Sequence, residues 1–222
     1  MGIALNSPIR IRAKGSPQMF SRRLMIAAAA AASLGLAACN KAGGPTGPAQ
    51  GDMSMGNPAA KVKVVEYASA SCPHCARFNN DVFPGFKAKY IDTGKVYYTF
   101  KEYLTPPENV AAAGFLVARC AGKDKYFTVL DAIFHSQTEM FQTGDFHGVL
   151  LRIAESAGLT EAQFNACLND DAAMKALNDR VTRAIQQDKV TGTPTFFFNG
   201  KKVAEGEVSE AQLDQAFNDA AK

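Results

Sequence analysis

Two thiols three positions apart, Cys72 and Cys75, are the residues of this 222-residue chain best suited to chemistry. They stand in Ser71-Cys72-Pro73-His74-Cys75, just after the apolar β-forming run Val62-Lys63-Val64-Val65-Glu66-Tyr67. The residues that follow, Ala76, Phe78, Val82 and Phe83, recur at helical spacing. The motif therefore falls where a strand hands over to a helix. A Cys72 thiolate there faces unpaired backbone N–H groups and the positive end of the helix dipole, and both favour the anion. Pro73 suits the first turn, where an N–H would have no helical partner. Cys75 lies one turn on, close enough to bridge, and His74 offers another donor or positive charge near the sulfur. A better stabilised thiolate leaves more readily, which makes the pair more oxidising. Zinc binding is the other chemistry of a CxxC. A closed zinc site takes four ligands, and Cys120 and Cys167 are isolated from the motif and from each other, so no metal is expected.

The start of the chain says where this chemistry takes place. Five of the 24 Lys and Arg precede residue 39 and none of the 21 Asp and Glu does, so the formal charge of +3 belongs to this leader and the remainder carries −2. Nothing in that balance points to nucleic acid. Ser21-Arg22-Arg23 is a basic n-region, and Leu24 to Ala38 is an apolar stretch too short for a membrane span. Leu36-Ala37-Ala38-Cys39 resembles the lipobox of bacterial lipoproteins, which implies a lipid on Cys39. The alternative is an ordinary secretory signal cut near Ala38. Either way the protein is exported, and export favours disulfides. The expected location is the periplasm, with the protein anchored as a lipoprotein. With Cys39 set aside, four cysteines remain, an even number consistent with two pairs.

The elements that must position the motif follow in order. Residues 1–38 are the leader. Residues 39–58, with many Gly and Pro, read as a flexible tether. Val62–Tyr67 is a strand, and the motif opens a helix that Pro84-Gly85 interrupts before a second short piece to Ile91. Val96–Tyr103, rich in aromatic and β-branched residues, is another strand. From Pro106 to Gln187 only helices are expected: 108–122, 126–141, 147–157, a short one opened by the capping box Thr160-Glu161-Ala162-Gln163, and 172–187 with Leu177, Val181, Ala184 and Ile185 on one stripe. Strand texture returns at Thr195-Phe196-Phe197-Phe198. Asn199-Gly200 predicts a hairpin, and Ser209-Glu210-Ala211-Gln212 opens a last helix. Strands on both sides of a helical block predict an α/β domain, 59–103 with 188–222, carrying a helical insertion at 104–187.

Cys72-Pro73-His74-Cys75 in this setting resembles the active-site motif of the DsbA-like thiol:disulfide oxidoreductases, a family with a thioredoxin fold and an inserted all-helical subdomain. The resemblance covers about residues 59–222. It implies that Glu66, six residues before Cys72, is a buried acid that moves protons for Cys75. It implies that Thr193-Pro194 is the cis-proline loop facing the motif, with Thr193 pairing its backbone with the client chain. It implies a redox-active disulfide and no other cofactor. Cys120 and Cys167, in separate predicted helices, are either a second redox couple or a structural staple. Neither has a CxxC partner, and some relatives carry a staple of this kind. His135 and His147 read as packed or solvated.

The resulting expectation is a monomeric oxidase acting on unfolded or reduced exported proteins and reoxidised by a membrane quinone-linked partner. A disulfide isomerase or reductase of the DsbG type, fed by a reductant supplier, is the alternative that Thr193 keeps open. A lipid-anchored, chaperone-like binding module with a structural CxxC is the alternative from another class.

Overall fold

The computed structural model describes residues 44–222. The leader and Cys39 lie outside the described residues. The five strands β1 (Met53–Gly56), β2 (Val62–Ala68), β3 (Val96–Glu102), β4 (Thr195–Phe198) and β5 (Lys201–Glu205) form one sheet in the order β1-β3-β2-β4-β5. β2 and β3 are parallel and every other pair is antiparallel. Asn199 and Gly200 both take positive φ, 46° and 80°, the conformation a tight hairpin between β4 and β5 needs.

Both faces of β2 are covered, which is why its sequence reads as a near-continuous apolar run. Alternation places Val62, Val64, Glu66 and Ala68 on one face. The apolar ones pack there with Val96, Tyr98 and Phe100 of β3 and Phe196 and Phe198 of β4. Val65 and Tyr67 face the other way, against Phe197, Ala184 and Val190.

The chain after the motif is helical from α1 (Pro73–Arg77) through α2 (Phe83–Phe86) to Ile91, with wide π-helical turns at Phe78–Val82 and Lys87–Ile91. Pro84-Gly85 was expected to interrupt this helix, and it does not. Pro84 has no N–H to return to the preceding turn. The wide turn before it, closed by Phe83 N–H on the Phe78 carbonyl, lets the helix run on.

The insertion consists of α3 (Glu108–Cys120), α4 (Tyr126–His135), α5 (Gln137–Thr143), α6 (Phe146–Ser156), α7 (Glu161–Leu168) and α8 (Asp171–Gln186). α9 (Glu210–Ala221) ends the chain, opened by the expected capping box at Ser209. The single helix expected over 126–141 is two, because Ser136 sits at φ −89° and ψ 0° and its N–H turns back to Ala132, Ile133 and Phe134. On α8 the buried stripe holds Leu177, Val181 and Ala184 with Arg180, whereas Ile185 is 47% exposed. A guanidinium, not an isoleucine, completes that face because an acid waits beneath it.

That acid is Glu102, buried at the end of β3. Its carboxylate accepts from Arg119 Nε of α3 at 2.6 Å, from Tyr126 Oη of α4 at 3.0 Å and from Arg180 Nε of α8 at 2.7 Å. Three helices of the insertion are thus tied to one strand of the sheet.

The flexible tether expected over 39–58 is corrected for its second half. β1 pairs with the edge of β3, Met53 opposite Phe100, and Met53 is buried. Further back, Gly44 N–H donates to the Gly200 carbonyl at 2.6 Å. An open sheet edge offers unpaired backbone groups to any nearby chain, and the high Gly and Pro content concealed a segment that uses them.

Candidate active site

β2 ends at Ala68, and four residues later Cys72 caps α1. Its φ of −81° and ψ of 120° are extended, and its sulfur accepts from Cys75 N–H at 3.3 Å. Pro73 occupies the first helical turn. Opposite, the Thr193–Pro194 bond is cis, and the Cys72 thiol donates to the Thr193 carbonyl at 3.4 Å. Cys72 and Cys75 are both free thiols. Cys72 is 5% exposed and Cys75 fully buried, so a partner reaches Cys72 first.

The two sulfurs differ electrostatically. The Cys72 thiol is lowered to about 6, chiefly by the hydrogen bond from the Cys75 thiol. Burial opposes this, while Thr193 and the backbone N–H groups of Cys75 and His74 assist. Burial and the adjacent Cys72 charge push Cys75 well above the ordinary thiol range. Deprotonation is concentrated on the reachable sulfur.

His74 was expected to place its ring near that sulfur. Its backbone N–H helps the thiolate, but its ring turns outward. Nδ1 lies 2.9 Å from Glu207 Oε1, and Arg77 binds both. The ring's partners are the surface side chains Glu207 and Arg77, not the buried sulfur.

Glu66 lies on the β2 face that carries Tyr98, and the Tyr98 hydroxyl donates to its carboxylate. It is 3% exposed. Burial pushes its pKa up to about 8, the Tyr98 hydrogen bond restrains that rise, and charge on Cys72 adds to it. The burial that the resemblance implied for Glu66 is the burial found.

Several neighbours were missed. Gln137, buried at the start of α5, donates from Nε2 to the Ala70 carbonyl at 2.8 Å and the Cys72 carbonyl at 3.2 Å. Ser71 Oγ donates to the Thr105 carbonyl at 2.8 Å, and Thr105 N–H to Ser69 Oγ at 3.1 Å. Tyr98 was legible, since alternation along β3 puts it on the core face. Gln137 gave no signal, being one polar residue in a stretch read as continuous helix. Beside Pro73 a cavity of 490 Å³ opens between α1 and the insertion, flanked by Phe134, Gln137 and Phe141.

Cys120 and Cys167 are joined in a disulfide between α3 and α7, with Cα atoms 6.1 Å apart. His147 packs edge-on against Phe164, and His135 is exposed beside Asp131. Among the described residues no group of three or more His, Cys, Asp or Glu is placed to hold a metal ion.

The family model described as Thioredoxin matches residues 49–219. The chain belongs to the thioredoxin family. Within it the chain is DsbA-like, and the expected thioredoxin fold with a helical insertion is the one found. A putative protein-disulfide oxidoreductase of Rickettsia bellii is 32% identical over 173 residues, 77% of this chain and 66% of that protein. The chain spans between 53% and 66% of the length of the first three Rickettsia relatives. The crystal structure of Wolbachia pipientis alpha-DsbA1 is 29% identical with a TM-score of 0.70, covering 78% of this chain and 94% of that one. A protein-disulfide isomerase from Novosphingobium aromaticivorans, 23% identical with a TM-score of 0.67, shares the fold over 79% of this DsbA-like chain and 100% of its own.

Proposed function

We propose that the protein is an exported thiol:disulfide oxidoreductase that introduces disulfides into envelope proteins through Cys72 and Cys75. The observation that carries this reading is the division of labour between the sulfurs. The reachable one is the stabilised anion, and the buried one holds its proton. In the oxidised pair a client thiolate attacks Cys72 Sγ. The Cys72–Cys75 bond breaks and its electron pair goes to Cys75, which takes a proton from Glu66. A second client thiolate then attacks the client sulfur of the mixed disulfide, and Cys72 departs as a thiolate. The client loses two electrons and the pair gains them, so no cofactor beyond the redox-active disulfide is needed.

Thr193 and Pro194 border the approach to Cys72, where the client backbone pairs. Unfolded or reduced exported proteins are the clients. A membrane quinone-linked partner reoxidises the pair. The protein works as a monomer in the periplasm, held near that partner by a lipid on Cys39. The Cys120–Cys167 bond is a staple, remote in sequence from the motif and without a resolving thiol of its own.

Cys72→Ser is expected to abolish client oxidation and Cys75→Ser to trap mixed disulfides. Full oxidase activity in Cys72→Ser refutes the assignment. A second reading, isomerase or reductase, is favoured by Thr193. A glutathione titration of the pair separates the two. A potential near about −120 mV means oxidase and one near about −270 mV a thioredoxin-like reductase.

A further inference from the structure

One buried side chain of the insertion, Gln137, reaches the backbone of the redox motif. Gln137 is 4% exposed and follows the break at Ser136 that separates α4 from α5. Had the helix run straight through, as its sequence predicts, residue 137 would have continued the regular rotation of α4. The break instead lets its amide reach the loop between β2 and α1. Both amide hydrogens find acceptors there, the carbonyls of Ala70 and Cys72.

The second acceptor matters most. The Cys72 carbonyl already receives the first intrahelical bond, from Ala76 N–H at 3.1 Å. Gln137 adds a second donor to the same oxygen. Cys72 is thereby held from its carbonyl side while its sulfur lies 3.3 Å from Cys75 N–H and 3.4 Å from the Thr193 carbonyl. Those contacts depend on the orientation of the Cys72 backbone, because one rotatable bond separates Cα from the sulfur's position.

We propose that Gln137 is a positioning residue for Cys72: the insertion uses its amide to fix the Ala70–Cys72 backbone and so aims the sulfur at the first-turn N–H groups. This deepens the redox-pair reading and rests on it. Gln137 does not touch the sulfur, and it acts by denying the N-cap residue other orientations.

The test compares the full-length protein with Gln137→Met, which keeps the size and removes both donors, and Gln137→Asn, which keeps the donors one methylene too short to reach. Two readouts are taken on each, the ultraviolet titration of the Cys72 thiolate and the glutathione equilibrium of the pair. Loss of aim is expected to raise the titration midpoint by about one pH unit, a tenfold loss of thiolate stabilisation. The pair should become about tenfold less oxidising, about 30 mV for a two-electron couple. Urea unfolding is followed in parallel. A variant that loses stability but keeps the wild-type midpoint and potential shows a merely structural glutamine and overturns the proposal. If Gln137→Met does not fold, Gln137→Asn decides alone by the same criterion. If the wild-type Cys72–Cys75 pair does not exchange with glutathione at all, the redox reading itself fails, an outcome distinct from unchanged variants beside an active wild type.

Discussion

Replacing Glu66 by Gln should change how stability depends on pH, by an amount the structure sets. The carboxyl is fully buried, and its pKa stands at about 8 against an ordinary 4.5. Between those values the folded protein keeps a proton that the unfolded chain gives up. Stability from this group is therefore intact below about pH 4.5 and falls as pH rises toward about 8. At about 1.4 kcal/mol per unit, the full loss is about 5 kcal/mol. Glutamine has no proton to lose, and its carbonyl can still accept from Tyr98. The variant should match the wild type at about pH 4.5 and exceed it by about 3 kcal/mol at pH ~7 and about 5 kcal/mol at pH ~9. The assay is urea unfolding of both proteins across this range with the motif thiols reduced. Cys72 titrates in the opposite sense, its lowered value making folding more favourable as pH rises; it is present in both proteins, and only its charge coupling to Glu66, the smallest cause of the Glu66 shift, enters the difference. Parallel stability curves would refute the buried, proton-holding role.

Three further outcomes are expected. Cys75→Ala should raise the midpoint of the Cys72 thiolate titration above about 6, because the Cys75 thiol is the largest contribution lowering it. An unchanged midpoint would assign the effect to the helix N–H groups instead. Glu102→Ala leaves Arg119 and Arg180 without their buried carboxylate, and chemical denaturation should show a loss of about 3–5 kcal/mol. Replacing both Cys120 and Cys167 by Ala opens a loop of 47 residues and should cost about 4 kcal/mol in thermal or urea unfolding, while thiol exchange at the motif continues at its usual rate.

Much of this molecule can be read along its chain, for physical reasons. Strand β2 announces itself because burial on both faces demands an apolar run. Asn199-Gly200 announces its turn because few residues take two positive φ values in succession. The motif is legible because its two sulfurs, its proline and its helix lie within five residues. What escaped is what depends on distant partners. The break at Ser136 has no glycine or proline to mark it, and Gln137 has meaning only once a loop more than sixty residues earlier lies beneath it. The inward place of Arg180 depends on Glu102, 78 residues away in sequence. The outward turn of the His74 ring depends on Glu207, 133 residues away. β1 was hidden by composition, since the edge it completes belongs to another part of the chain.

The bond from Gly44 to Gly200 fixes where the chain enters the domain. Asn199 N–H donates to the Lys63 carbonyl, so this corner sits at the start of β2, whereas the thiols sit beyond its end. Seven residues of β2 at about 3.3 Å each put roughly 23 Å between the two poles. A domain grafted onto a bead, an electrode or another protein through a linker ending at Gly44 would present its sulfurs on the outward side, open to macromolecules in solution. The same graft made through Lys222 would leave from the same corner, because Asn199 Nδ2 donates to the Ala220 carbonyl at 3.0 Å.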